Sequence, residues 1–122
     1  MREAVIKSDR ETEFFTPERC YILEMSNSEA DPGVSIARAR VEPGITTALH
    51  RLEAVEERYV VLEGVGRMEV GDLEPVDVEP GAVVLVPAGR RQRITNTGDR
   101  DLIFLCVCTP RFYPESYEDI EG

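Results

Sequence analysis

His50 is the only histidine in the sequence, and any chemistry that needs an imidazole must use it. An imidazole ordinarily titrates between pH 5 and 8, and it is also the commonest metal ligand in proteins. A carboxylate, Glu57, follows seven positions later, and a neutral amide, Gln92, lies further along the chain. A histidine and a carboxylate can share proton transfer or ligate a metal, and an amide oxygen can complete either kind of site. Whether these side chains meet depends on the elements that carry them.

The elements that must position these residues read as short strands. Apolar runs of strand length alternate with turn pairs such as Pro43-Gly44 and Pro80-Gly81. Turn chemistry at this spacing is typical of an all-β sandwich or barrel, and no window shows convincing helical periodicity. The predicted strands cover residues 19–25, 34–41, 45–52, 57–62, 67–70, 73–78, 82–86, 91–95 and 102–108.

Two stretches of the chain resemble the two sequence motifs of the cupin superfamily, usually written G-x5-H-x-H-x3,4-E-x6-G and G-x5-P-x-G-x2-H-x3-N. The matching residues are Gly44, His50, Glu57 and Gly64 in the first motif, and Gly81, Pro87, Gly89 and Asn96 in the second. Both motifs occur in order, at a separation that the family permits. The resemblance implies an all-β fold, a single jelly-roll type cupin β-barrel. Cupins are often dimeric and commonly hold a divalent metal through three His and one Glu at the barrel mouth.

Carried over to this chain, the resemblance implies metal ligation by His50, Glu57 and Gln92, with two departures from the usual set. Leu52 stands at the second His position and cannot bind metal, and Gln92 stands at the third His position. One imidazole and two oxygens bind Zn, Cu or Ni less well than three imidazoles do. We therefore expect either a weak divalent-metal site (Mn, Fe, Zn or Ni) or a cluster of mutually hydrogen-bonded polar residues.

Strand alternation adds further candidates for the pocket. Tyr59 shares a face with Glu57, where it is either a proton donor or a half-buried aromatic with a satisfied hydroxyl. Arg38 and Arg40 share a strand face, which is either a carboxylate or phosphate clamp in the pocket or a solvated surface. Asn96 is included as a pocket residue, although the same motif position often braces a turn.

The chain is predicted to be one domain, because its 122 residues suffice for one hydrophobic core. We expect an N-terminal arm over 1–16, the barrel over 17–108 and a C-terminal tail over 109–122. Two prolines exclude the tail from a central strand, whereas its aromatics suggest that it packs on the barrel surface or on a partner subunit.

Charge and composition narrow the classes of partner. The formal net charge of −10 disfavours binding to phosphate backbones, and no apolar run is long enough to span a bilayer. The N-terminus lacks the apolar stretch of a secretory signal, so a cytoplasmic location is expected. The three cysteines, an odd number, indicate free thiols, with Cys106 and Cys108 on one strand face. The expected partners are a small-molecule ligand and a second copy in a homodimer, with neither nucleic acid nor membrane.

Three functions are compatible with these residues. The favoured one is a small-molecule-binding cupin, with or without a weakly bound divalent metal in its pocket. The second is an isomerase-like, epimerase-like or metal-dependent enzyme in which His50 acts as the base, with Glu57 orienting it and Tyr59 as an acid. The third is a structural cupin with a decayed site. Fold alone does not separate them, because one fold hosts many reactions.

Overall fold

The computed structural model describes the whole chain, Met1–Gly122, as two antiparallel sheets, and this confirms the all-β prediction. The six-stranded sheet has the order β1 (Phe14–Phe15), β2 (Tyr21–Ser26), β3 (Ser35–Val41), β10 (Leu102–Thr109), β5 (Glu56–Glu63) and β8 (Val83–Val86). The five-stranded sheet has the order β11 (Tyr117–Asp119), β4 (His50–Leu52), β9 (Gln92–Asn96), β6 (Gly66–Val70) and β7 (Val76–Val78).

Alternation along the strands decides which side chains enter the barrel. In β5, Glu57, Tyr59 and Val61 are buried, whereas the residues between them are only partly covered. Strand β3 does the same with Ala39 and Val41 on its inner face. A main cluster of twelve buried apolar side chains, including Met68 and Ile94, forms the core between the two sheets. A smaller cluster contains Leu52 and Cys108, which line the same cavity as the polar candidates His50 and Glu57.

Gly64 shows why a motif glycine is needed between β5 and β6. Its φ is +80°, and a Cβ atom at this position would lie 2.6 Å from the carbonyl oxygen of Asp101. Any other residue would therefore strain the backbone and collide with the strand that pairs with β5. The turn fixes the end of the strand that carries Glu57 and Tyr59.

The two terminal segments are joined to the barrel by short strands that the sequence pattern did not predict. Strand β1 lies within the predicted arm and pairs with β2, after a 3₁₀ turn at Arg10–Thr12. The tail forms a second 3₁₀ turn, Pro114–Ser116, and then β11, which pairs with β4 at the edge of the smaller sheet. None of the helical segments is long and apolar enough to cross a membrane.

Candidate functional site

A cavity of about 360 Å³ is lined by residues of both sheets. Hydrophobic side chains, Leu52 and Tyr59 among them, supply 13 of its 21 lining residues, and the polar lining residues include His50 and Glu57. A cavity of this size, with an apolar wall and a few polar groups, is typical of a small-molecule site.

His50 is held in one orientation by its neighbours. It is 5% exposed, and its Nδ1 lies 2.8 Å from the carbonyl oxygen of Ala48. Because a carbonyl oxygen only accepts, Nδ1 must carry the proton, and Nε2 is the ring nitrogen left to accept a bond. Tyr117 of β11 stacks on the imidazole with the ring centroids 5.1 Å apart. The tail therefore forms part of the wall around His50.

Glu57 is the least satisfied polar group in the cavity. It is 8% exposed, and its Oε2 accepts only a weak bond from the Cys108 thiol, with Sγ 3.7 Å away. Its Oε1 is buried and has no hydrogen-bond partner. Burial raises the pKa of Glu57, and the nearby His50 opposes this shift only in part. A buried carboxylate oxygen without a donor is costly, so this atom marks a place where a ligand group would be stabilised.

The side-chain oxygen of Gln92 is already used in a hydrogen bond with Tyr59. The tyrosine hydroxyl donates a hydrogen bond to Gln92 Oε1, and both side chains are buried. Gln92 lies directly opposite His50 in the β4–β9 pair. Burial raises the pKa of Tyr59 well above its ordinary value, so the hydroxyl stays protonated. Since that proton is used to hold Gln92, the contact favours a positioning role for Tyr59 over the predicted role as an acid.

The donors present fit a firmly held transition metal poorly. His50 and Glu57 face the same cavity, but the Gln92 oxygen already accepts from Tyr59 and Leu52 offers no donor. No group of three or more His, Cys, Asp or Glu side chains is arranged to hold a metal ion. Zn, Ni and related ions prefer three or four nitrogen or sulfur ligands. The weak site at His50, Glu57 and Gln92 stays a prediction.

The prediction that Arg38 and Arg40 belong to the pocket is wrong. Ala37 and Ala39 occupy the inner face of β3, so the two arginines point outward. There Arg40 Nη2 lies 2.7 Å from Glu13 Oε1, and Arg38 Nη1 lies 3.3 Å from Glu13 Oε2. The small residues at alternate positions were the signal for this orientation, because they leave room inside the barrel.

Asn96 also lies outside the cavity and braces a turn. Its Nδ2 donates to the carbonyl oxygens of Val41 at 2.8 Å and Arg100 at 2.7 Å, and its Oδ1 accepts from the Gly98 amide at 2.9 Å. All of its strong hydrogen-bonding groups are therefore used within the protein. This corrects the inclusion of Asn96 among the pocket residues.

Several cavity residues were not predicted from the sequence. Glu18 precedes β2 and places Oε1 3.4 Å from His50 Nδ1. Free thiols from Cys20, Cys106 and Cys108 also line the wall, and burial raises the pKa of Cys20 to about 12. Four aromatic residues that were not predicted also line the wall: Phe14, Phe104, Phe112 and Tyr117. The strand-face parity of Cys106 and Cys108 was a usable signal, whereas Glu18 and the tail aromatics lie in segments without periodicity.

The fold and site together define a class: a small two-sheet β-barrel with a mainly apolar cavity. The Cupin domain family matches residues 37–108, which include both motifs and most of the barrel. The chain belongs to the cupin family, as the motifs predicted. Its two sheets and its structural relatives also confirm the jelly-roll type of fold.

Two proteins are similar to the chain in sequence, and a solved structure is similar to it in fold. An uncharacterised protein of Methanocaldococcus jannaschii is 34% identical over 93% of this chain and 89% of its own length. An oxalate-binding protein of Thermotoga maritima is 35% identical over 58% of each chain. A double-stranded β-helix protein of Klebsiella pneumoniae superposes with a TM-score of 0.78 at 17% identity, covering 98% of this chain and 100% of that one. This last likeness shows the fold alone.

Proposed function

We propose that this cupin binds a small molecule inside its barrel, with His50 and Glu57 as the anchoring polar groups. The cavity of about 360 Å³ carries the proposal, because its apolar wall surrounds a small set of converging polar side chains. The Thermotoga relative, named as oxalate-binding, supports small-molecule binding for a barrel of this family. A ligand donor would also provide Glu57 Oε1 with the partner that the protein does not supply.

A cavity-filling variant tests this proposal. Ala37 lines the cavity and is only partly buried, so Ala37→Leu reduces the cavity while leaving the strand intact. Ala30→Leu is a matched control on an exposed turn outside the cavity. We expect some members of a small-molecule panel to raise the melting temperature of the wild type and of Ala30→Leu, and not that of Ala37→Leu. A panel without any stabilising member would contradict the proposal and favour a structural barrel instead.

A second candidate is acid–base catalysis on the bound molecule by His50. The observation that favours it is the hydrogen bond from Nδ1 to Ala48, which leaves Nε2 as the proton-accepting nitrogen of a ring that lines the same cavity as Glu57. We expect a true substrate to be converted by the wild type and not by His50→Gln, as followed by mass spectrometry. Conversion at the same rate by both proteins would rule out His50 as the base.

We also propose that the protein is a homodimer through the outer face of the six-stranded sheet. Leu62, Val83 and Leu85 lie on this face and are 43%, 56% and 68% exposed. Val60 pairs with Val83 beside them, which makes the apolar patch continuous. A second copy would cover the patch and the edge strand β8 by two-fold symmetry.

Light scattering should give the dimer mass for the wild type and the monomer mass for Leu85→Glu. A monomeric wild type would contradict this.

A further inference from the structure

The cavity contains several carboxylates and no permanently positive side chain. Glu18, Glu24 and Glu57 line it, whereas no Lys or Arg does so. The only basic group in the lining is His50, whose Nδ1 lies 3.4 Å from Glu18 Oε1 and whose ring is cationic only when it is protonated. Glu24 lies at the exposed end and accepts a bond from Asn27 Nδ2 at 2.9 Å. The field inside the cavity is therefore dominated by acidic groups, with no permanently positive side chain to balance them.

The unpartnered oxygen of Glu57 defines which kind of ligand group this acidic lining would favour. The residue is 8% exposed, faces the cavity and leaves Oε1 without any hydrogen-bond donor. A second negative charge beside it would be repelled, and a ligand with only acceptor atoms could not satisfy it. A positively charged N–H donor would be attracted by the carboxylate and would donate the missing hydrogen bond. Charge-assisted hydrogen bonds to a carboxylate are also stronger than neutral ones. The ionised form of Glu57 would also gain the counter-charge that burial makes necessary.

The walls indicate the rest of the ligand. Phe104 stacks on Tyr59 at 4.8 Å, and Phe14, Phe112 and Tyr117 complete an aromatic lining. Such rings accept a flat apolar body, and their faces also attract an ammonium group. Both properties suit a molecule that has an amine at one end and an apolar body at the other.

We infer that the cavity takes a cationic amphipathic ligand, a protonated amine carried on an aromatic-sized apolar body, with the ammonium group at Glu57 and Glu18. The inference rests on the proposed small-molecule function and narrows its ligand class. A small dicarboxylate does not fit this cavity, because two negative charges would meet three carboxylates and no arginine or lysine. The ligand named for the Thermotoga relative therefore does not transfer to this chain.

Three probes that share a phenyl group, together with oxalate as a small dianion, test the charge requirement. Calorimetric titrations at neutral pH would compare 2-phenylethylamine, 2-phenylethanol, 3-phenylpropanoate and oxalate. We expect the amine to bind at least about tenfold more tightly than the alcohol, because hydrogen bonds between charged groups are stronger than neutral ones. The two anions should bind more weakly than the alcohol.

Two neighbouring glutamates provide matched variants. Glu57→Gln should remove most of the preference for amine over alcohol, while Glu56→Gln should leave it unchanged because Glu56 is exposed and lies outside the cavity. Circular dichroism checks that both variants fold. If the alcohol or the anions bind as tightly as the amine to the wild type, the charge inference fails and small-molecule binding stands. If no probe binds, or if binding is equal in Ala37→Leu, the proposed function fails as well.

Discussion

The outer face of the six-stranded sheet and the cavity behind it differ in the hydrogen-bond partners that they provide for carboxylates. Outside, Glu13 accepts from both Arg38 and Arg40, and Arg40 also reaches Asp101 at 3.3 Å. Inside, Glu57 faces two thiols and an imidazole and keeps one oxygen without a partner. The two regions are separated by a single layer of strands. Alternation along β3 places arginines on one side and alanines on the other, so one sheet combines a satisfied surface with an unsatisfied cavity.

The largest expected effect comes from giving the cavity carboxylate a metal partner. Leu52 lies two residues after His50 on β4, and Gln92 lies opposite His50, so Leu52→His with Gln92→His adds two imidazoles near Glu57. We expect zinc affinity to rise by about a hundredfold over the wild type, because imidazoles replace an alkyl group and an amide. A zinc titration with a competing chelator measures the change, with the two single variants as intermediate controls. An unchanged affinity would show that these positions do not converge.

A smaller effect is expected from breaking the satisfied outer region. Arg40→Met removes the bonds to Glu13 and Asp101 and the stacking over the Tyr21 ring at 4.0 Å. We expect the free energy of unfolding to fall by about 1–2 kcal/mol in urea titrations, because Arg40 is only 24% exposed and its partner Glu13 only 16%.

The control for this change is Arg67→Met, which breaks a single ion pair at a more exposed position. Arg67 and Asp77 are 57% and 78% exposed at an N–O distance of 3.2 Å. The expected loss there is about 0.5 kcal/mol or less. Equal losses for the two variants would mean that burial does not distinguish these pairs.

A smaller effect than that of Arg40→Met, with the opposite sign, is expected inside the cavity. Burial raises the pKa of Glu57 in the folded protein. Ionising this carboxyl therefore costs more free energy in the folded state than in the unfolded state, and this cost lowers stability at pH values above the raised pKa. Glu57→Gln should therefore stabilise the protein by about 1 kcal/mol at pH 8, as measured by urea unfolding. The gain should vanish at pH values below the unfolded pKa of about 4.3, where the wild-type carboxyl is protonated in both states.

The other titratable groups that face Glu57 bear on the interpretation of this result. They are His50, Glu18, Tyr59, Cys106 and Cys108. Glu56→Gln serves again as the control, because its carboxyl is exposed and should change stability little at any of these pH values. A destabilised Glu57→Gln at pH 8 would show that the carboxylate is satisfied in solution by groups outside the chain.

The sequence predicted the barrel because the signals for it are local. Each turn carries its own glycine or proline, and each strand carries its own alternation. The predicted strand 102–108 became Leu102–Thr109, and 91–95 became Gln92–Asn96. Strands β1 and β11 were missed because they are three residues or shorter and exist only through pairing with distant partners. Local pattern carries no information about such pairings.

The site could be predicted only as far as the motifs extend. His50, Leu52 and Glu57 face the cavity as expected, because strand parity fixes the side on which each lies. The Gln92 contact with Tyr59 depends on how two sheets meet, and no single strand encodes that distance. Glu18 and Tyr117 lie at opposite ends of the sequence and meet His50 only after the sheets have formed.

The stacking of Tyr117 on His50 has a consequence for the order in which the site is built during translation. The histidine belongs to the middle of the chain, but the ring that covers it follows the last long strand, β10. A ribosome that has made residues 1–109 has produced every strand except β11, yet the wall beside His50 is still absent. The wall of the cavity is therefore completed after the rest of the barrel, when β11 pairs with β4.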